Sequence, residues 1–428
     1  MAHADDPALE AAGRFLKSFK HPAHLLVAVS GGSDSTGLLV ALATLCAAGR
    51  CPGITLSACT IDHDLRPGSA GEAAWVGALC ARHGVRHVIR RWEGEKPVSG
   101  LQAAARARRY DLLAGTAVEM GADAVLAAHT RDDQNETVAM RAARSVEGIG
   151  LSGMADAVLL HGAVWLLRPF LAIDRAAIRA FLAARGEGWR EDPSNDNPRF
   201  ERVRIRARGV SPEPAGGDRA LLSRCAAAFL AENVRTEGAF FVLAPAAVGT
   251  LLVDPAAWRG FLVLAAVAGG RVHALEAASA GRLRGFLASG TLSRLTAGRV
   301  VFDRRRDGLF LYRECRGIET LALPAGAAAV WDGRYHVANR TGRTIMVSAA
   351  GSGRGRDDGA GLGGPALRAS RAAPRLEFEH GGRVPADLAA IEPVVAPYAR
   401  FLPRFDLPLA NALAEILGRA PFSSPPNE

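Results

Sequence analysis

The sequence predicts an α/β protein: a doubly wound, mostly parallel sheet, followed by a helical domain and a small mixed α/β C-terminal domain. Three observations carry that prediction. From residue 24 to about 185, short apolar runs alternate with helical stretches, as in a parallel sheet with helices on both faces. The polar clusters Ser30–Ser35, Asp62 and His129–Asp133 all fall just past the C-terminal ends of predicted strands, where such sheets bind ligands. And 428 residues are enough for two or three domains, each with its own core.

The first strand is Leu25–Val29 and the next helix Leu38–Ala48. Between them lies Ser30-Gly31-Gly32-Ser33-Asp34-Ser35-Thr36. Glycine lets backbone approach a ligand closely and adopt positive φ. Unpaired N–H groups at the start of the following helix favour an anion. Ser33 and Ser35 add hydroxyl donors, and Asp34 can hold a divalent ion against phosphates. The stretch reads as a pyrophosphate cradle. A Walker loop requires a Lys after its last glycine, which is missing here. A hydrolase elbow, G-x-S-x-G, requires Gly at position 35, where Ser stands. A ligand-free βα turn is the plain alternative, disfavoured by three hydroxyls and a carboxylate within Ser30–Ser35.

The second strand, Thr55–Ile61, ends at Asp62-His63-Asp64, and a helix follows over Ser69–His83. Val85–Arg90 is a third strand, and Leu101–Met120 a long helix carrying Arg106, Arg108, Arg109 and Tyr110. Ala124–Ala128 is a fourth strand ending at His129-Thr130-Arg131-Asp132-Asp133, with a helix over Asn135–Glu147. Gly148–Gly153 matches G-x-G-x-x-G but follows a helix, so it is set aside as a loop. Beyond the turn-rich segment 191–198, Arg199, Arg202 and Arg206 share one helical face. That face suits either solvent or a phosphate backbone.

Residues 210–217 read as a linker. Arg219 to about Ser289 is Ala/Leu-rich and helical. Arg299–Asp303 with Leu309–Tyr312, and Ala328–Trp331 with Tyr335–Ala338 about Asp332-Gly333, read as hairpins. Domains are therefore expected at 1–209, 218–318 (mainly helical) and 319–428 (small, mixed), with 349–374 a flexible Gly/Arg/Ala-rich loop.

The net charge of +9 is compatible with a nucleic-acid partner. Lys occurs only at 17, 20 and 96, so a GC-rich coding bias explains the arginines equally well. Six Cys include no C-x-x-C pair, against a zinc ribbon or iron–sulfur site. Scattered single cysteines, an N-terminus without signal-peptide character and no long uncharged apolar stretch predict a cytoplasmic protein with no membrane partner.

In order along the chain, these motifs resemble the tRNA(Ile)-lysidine synthetases, within the N-type ATP pyrophosphatases or PP-loop superfamily (adenine nucleotide alpha hydrolase-like). Ser30–Ser35 matches the superfamily's S-G-G-x-D-S. Ile61–Arg66 is similar to H-V-[DN]-H-G-L-R, Ala104–Tyr110 to E-x-x-A-R-x-x-R-Y, and His129–Thr137 to H-x-x-D-D-Q-x-E-T. Arg168-Pro169-Phe170 and Trp189–Asn195 resemble the stretch closing the catalytic domain. The resemblance covers roughly residues 20–208, and beyond that only the layout. Asp64 stands where Gly is usual, Ala104 where Glu is, and Val203 where Asn is.

The resemblance implies ATP and Mg²⁺, free L-lysine, and a tRNA(Ile) with a CAU anticodon. ATP adenylates the C2 oxygen of the wobble cytidine, and the lysine ε-amine then attacks C2 and displaces AMP. It implies ATP binding by Ser30, Gly31, Gly32, Ser33, Asp34, Ser35, Asp62 and His63, with Asp34 also at the metal. Catalysis falls to Asp34, His129, Asp133 and Glu136, lysine binding to Asp132, Asp133 and Glu136, and tRNA binding to Arg106, Arg109, Arg199, Arg202 and Arg206. Helix capping competes as the role of Asp132 and Asp133. A homodimer, a thiolase of the same superfamily and a non-catalytic ATP/RNA sensor stay open.

Overall fold

The computed structural model describes residues 6–65, 68–143, 152–191, 204–205, 218–352 and 364–428. The chain divides into two compact units, Met1–Arg219 with Ser424–Glu428, and Ala220–Ser423.

The first unit opens with α1 (Pro7–Lys17), whose cap Asp6 accepts the Ala8 N–H at 3.0 Å. There follow β1 (Ala23–Ala28), α2 (Ser33–Ala47), β2 (Ile54–Asp62), α3 (Ser69–Arg82), β3 (Arg86–Arg91), α4 (Leu101–Met120), β4 (Ala124–Leu126) and α5 (Arg131–Ala142). Last come β5 (Ala157–Leu160), β6 (Val164–Leu167) and α6 (Arg175–Ala184). Within this unit the sheet runs β5-β6-β4-β1-β2-β3. All its pairings are parallel except β5 with β6. The doubly wound, mostly parallel sheet is therefore observed, with one antiparallel strand at β5.

The chain winds outward from β1 to β2 and β3, then returns to β4 on the other side of β1. The topological switch point, where such sheets open a crevice, lies between β1 and β4. Leu25, Leu26 and Val27 of β1 are fully buried, as are Leu38, Leu39 and Leu42 of α2. Each such side chain contributes about 1.5–3 kcal/mol of burial, which holds the cradle's two flanks rigidly.

Two helices begin earlier than the periodicity predicts. α2 starts at Ser33, not Leu38, so three cradle residues form its first turn. α5 starts at Arg131, not Asn135, because Thr130 and Asp133 form a capping box. Apolar periodicity marks the buried part of a helix, whereas the cap marks its beginning.

In the second unit the stretch expected to be mainly helical also carries a sheet. It holds α7 (Arg219–Asn233), α8 (Pro245–Val253), α9 (Pro255–Gly269) and α10 (Ala277–Ala288). It also holds an antiparallel sheet in the order β7-β8-β11-β10-β9. Those strands are β7 (Val234–Glu237), β8 (Phe240–Leu243), β9 (Arg294–Ala297), β10 (Val300–Arg305) and β11 (Gly308–Arg313). Strands of four residues inside an Ala/Leu-rich context leave no period to read. The predicted hairpin β10–β11 is present, with Asp303 opposite Phe310.

Two three-stranded sheets follow. The Asp332-Gly333 hairpin is present, with φ of 52° and 70° at its two turn residues. The expected loop at 349–374 is partly ordered structure. Ala350–Ser352 is a 3₁₀ turn and α11 spans Gly364–Ser370, while 353–363 lie outside the described residues. Among the described residues no single helix is long and apolar enough to cross a membrane.

Candidate active site

At the end of β1 the chain turns on Gly31, φ 87°. The Ser30 N–H donates to Ser35 Oγ at 3.1 Å, and Thr36 Oγ1 donates to the Gly31 carbonyl at 3.3 Å. The Arg190 N–H donates to that same carbonyl at 2.8 Å. These bonds fold Ser30–Gly32 back onto the first turn of α2. Gly32, the residue before the helix, brings no side chain to cap it. The first-turn amides thus face the position that an anion takes.

The cradle's cations come from α6. Arg175 Nε lies 2.9 Å from Asp34 Oδ2, and Arg179 Nε lies 3.4 Å from Ser33 Oγ. The two arginines, one turn apart, share a face. α6 gets this close because residue 37 is glycine: a Cβ there would overlap Ile178 Cγ2. Sequence reading missed both arginines. The one local signal is Arg-x-x-x-Arg opening a helix behind Asp174.

Across the switch point, β4 leads into α5. Asp133 Oδ2 accepts from the Thr130 N–H at 2.9 Å and from Thr130 Oγ1 at 3.0 Å. Asp132 Oδ2 accepts the Arg175 backbone N–H at 2.9 Å, the first of α6. Capping, the competing role, is thus present at both residues. Each nevertheless keeps a second oxygen, and Asp133 Oδ1 lies 3.5 Å from Arg175 Nη2. Glu136, one turn further and 7% exposed at its side chain, has Oε1 3.8 Å from Arg175 Nη1. Asp34, Asp133 and Glu136 therefore surround one guanidinium.

The charges settle unequally. Burial pushes the Asp34 carboxyl above its ordinary range, and Arg175 only partly offsets it. Burial also works against the Arg175 cation, but Asp34, Asp133 and Glu136 outweigh it and raise its pKa. One cation divided among three acids gains from all of them, while each acid receives a share.

His129 Nδ1 accepts from Arg168 Nε at 3.2 Å, which leaves the neutral ring its proton on Nε2. Asp62, buried at the end of β2, accepts the Asp64 N–H on Oδ1 at 2.8 Å. Asp64 has φ 51°, a conformation that favours glycine and accounts for the Gly usual in the resembling motif. Here Arg91 and Lys96 hold its carboxylate at 2.7 and 3.4 Å. His63 Nδ1 is buried with no hydrogen-bond partner among the described residues. Burial first, then the Arg109 charge, lowers the His63 pKa. The Arg109 charge thus acts on His63, whereas Arg106 is exposed, 5.2 Å above the Tyr110 ring. Arg199, Arg202 and Arg206 lie outside the described residues, as does most of Gly148–Gly153. Among the described residues, no three His, Cys, Asp or Glu are grouped to hold a metal.

Residues 7–213 match the model of the PP-loop domain, which makes the first unit an ATP-binding PP-loop fold. Full-length similarity narrows this. The chain is 47% identical to a tRNA(Ile)-lysidine synthase of Rhizobium meliloti, covering 100% of this chain and 98% of the relative. Identity is 39% to that of Mesorhizobium japonicum, with 95% of each covered, and 37% to that of Brucella canis, with 92% and 95% covered. The chain belongs to the tRNA(Ile)-lysidine synthase family. A solved U34-tRNA thiolase from Methanococcus maripaludis aligns with 47% of this chain and 72% of its own at 14% identity and TM-score 0.39, a likeness too slight to bear on function.

Proposed function

We propose that this protein uses ATP to join free L-lysine to C2 of the wobble cytidine in a tRNA(Ile) with a CAU anticodon, forming lysidine. The supporting observation is the side-chain cluster at the switch point. A phosphate cradle with two arginines faces the α5 carboxylates there, in a chain related end to end to lysidine synthases.

In the first step the cytidine C2 oxygen attacks the α-phosphorus, the bond to the β-phosphate breaks, and pyrophosphate leaves. Its charge is taken up by the α2 first-turn amides and by Arg175 and Arg179. In the second step the lysine ε-amine attacks C2, the C2–O bond breaks, and AMP leaves. An ammonium of intrinsic pKa about 10.4 must first give up a proton. Glu136 and Asp133 can pair with that cation and then accept its proton. Asp34 fits an ATP-held Mg²⁺, because such an ion takes only one or two protein carboxylates. The ion would spread the negative charge of the phosphates.

We assign ATP contact to Ser30–Ser35, Asp62 and His63, and tRNA backbone contact to Arg106, Arg199, Arg202, Arg206 and the unit after residue 218. Arg109 fits better beside His63 at the nucleotide. The reaction is placed in the cytoplasm.

The test is pyrophosphate release and lysine incorporation by the purified chain, omitting tRNA(Ile) or lysine in turn. The expected result is lysidine formation that needs ATP, lysine and tRNA together. Asp34→Asn should keep the fold and lose pyrophosphate release. ATP binding without turnover would support the sensor, and sulfur incorporation into tRNA the thiolase; either overturns the proposal.

A further inference from the structure

Arg175 stands between the places the two small substrates need. Its Nε is 2.9 Å from Asp34, in the first turn of the phosphate cradle. Its Nη2 and Nη1 are 3.5 and 3.8 Å from Asp133 and Glu136, the carboxylates facing that cradle. Its backbone, by contrast, is tightly fixed. Asp132 holds its N–H, and next to it Arg131 Nη1 pairs with Asp174 Oδ2 at 2.9 Å while the Arg131 N–H donates to the Ile173 carbonyl at 2.9 Å. What remains free to rearrange is the long side chain on an anchored Cα.

The pairing conflicts with substrate binding. An amino acid's ammonium directed to Asp133 and Glu136 meets a guanidinium already sharing those oxygens, and two cations on one carboxylate pair repel. Phosphates arriving at the first turn of α2 offer that guanidinium a more highly charged partner, in bidentate geometry. Arg179 marks the direction, with its own guanidinium one turn along the same helix face and directed to Ser33.

We propose that Arg175 couples ATP binding to lysine binding by changing partners: the phosphates draw its guanidinium to the cradle, and Asp133 and Glu136 are thereby opened to the lysine ammonium. This rests on the lysidine-forming reading of the site. Arg175 is then a positioning residue that orders the substrates, ATP before lysine, and makes no bond to the reacting carbon. Because coupling free energies are reciprocal, lysine must tighten ATP binding by the same factor.

The experiment is equilibrium dialysis of labelled L-lysine, with and without a non-hydrolysable ATP analogue and Mg²⁺, on the full chain. Wild type should bind lysine at least about fivefold more tightly with the analogue, the lower end of ordinary coupling. Arg175→Gln should bind lysine with one affinity in both conditions. Arg175→Lys, still cationic, should recover part of the difference. Circular dichroism checks the fold of each variant; if Arg175→Gln does not fold, the wild-type ratio and Arg175→Lys decide. Equal wild-type affinities, or an unchanged ratio in folded Arg175→Gln, overturns the inference. Lysidine formation by wild type in parallel separates the two claims. Product without coupling removes only the role of Arg175, and no product removes the reading beneath it.

Discussion

Asp132 accepts the backbone N–H of Arg175 at 2.9 Å, so the second residue of α5 caps the first residue of α6. The side chain of Asp174, the residue before α6, makes no capping bond and turns instead to Arg131. Each helix start thus holds the other. Asp132→Ala should cost about 0.5–2 kcal/mol, the usual worth of a cap, and Asp132→Asn less, because it keeps the acceptor. Chemical denaturation reads both. Equal stability of all three proteins would show that the bond carries no load.

Glu136 is buried one turn inside α5, at ion-pair range of Arg175. Glu136→Gln keeps shape and removes charge. It should spare ATP binding while raising the lysine concentration needed for half-maximal lysidine formation and slowing the second step, so that adenylated tRNA accumulates. An unchanged lysine dependence and rate would pass the role to Asp133.

Gly37 lets α6 lie against α2. Gly37→Ala places a methyl on Ile178 Cγ2, and overpacking of this kind costs about 1–3 kcal/mol, partly offset by the roughly 1 kcal/mol helix preference of Ala. It should also lower turnover, because α6 carries Arg175 and Arg179. In an Ile178→Ala background the same substitution should stabilise instead, since the methyl then fills space. A double-mutant cycle measures that change of sign. Additive effects would refute the contact.

His87 lies between α3 and the sheet, with Nε2 2.9 Å from Thr60 Oγ1. The Thr60 hydroxyl proton goes to the Val29 carbonyl at 2.8 Å, so the ring donates through Nε2. Burial lowers its pKa below the ordinary 6.5. The unfolded chain therefore takes up this proton first as pH falls. The stability it contributes is full above about pH 6.5 and is lost as pH drops through the lowered folded value. His87→Gln should flatten the pH dependence of the melting temperature below pH 6.5. A curve as steep as that of wild type would assign the acid sensitivity to other groups, His63 first among them, whose pKa burial and Arg109 also lower.

Much of the site was legible in the chain itself, because the interactions that make it are local. Ser30–Ser35 carries its own turn, hydroxyls and helix start within six residues, and Asp332-Gly333 its own left-handed hairpin turn. Thr130 and Asp133 were legible too, as a capping box at spacing three, and would have placed the start of α5 correctly. The short strands from Val234 to Leu243 were not legible, since Phe240-Phe241-Val242-Leu243 has the same apolar character as the helices around it.

By itself the sequence determined the phosphate cradle, the parallel sheet that presents it, and the family. Only the tertiary structure decided which cation serves the carboxylates. Arg175 lies 141 positions from Asp34, and its local mark, an Arg-x-x-x-Arg opening a helix behind Asp174, does not say which carboxylates it will meet. It acquires a role through a bare glycine at position 37, a cap reaching from α5, and the return of the chain from β3 to β4 beside β1. Capping and turn preferences act over a few residues and leave a mark in sequence. A charge pair made by the packing of two distant helices depends on backbone paths that no local pattern encodes.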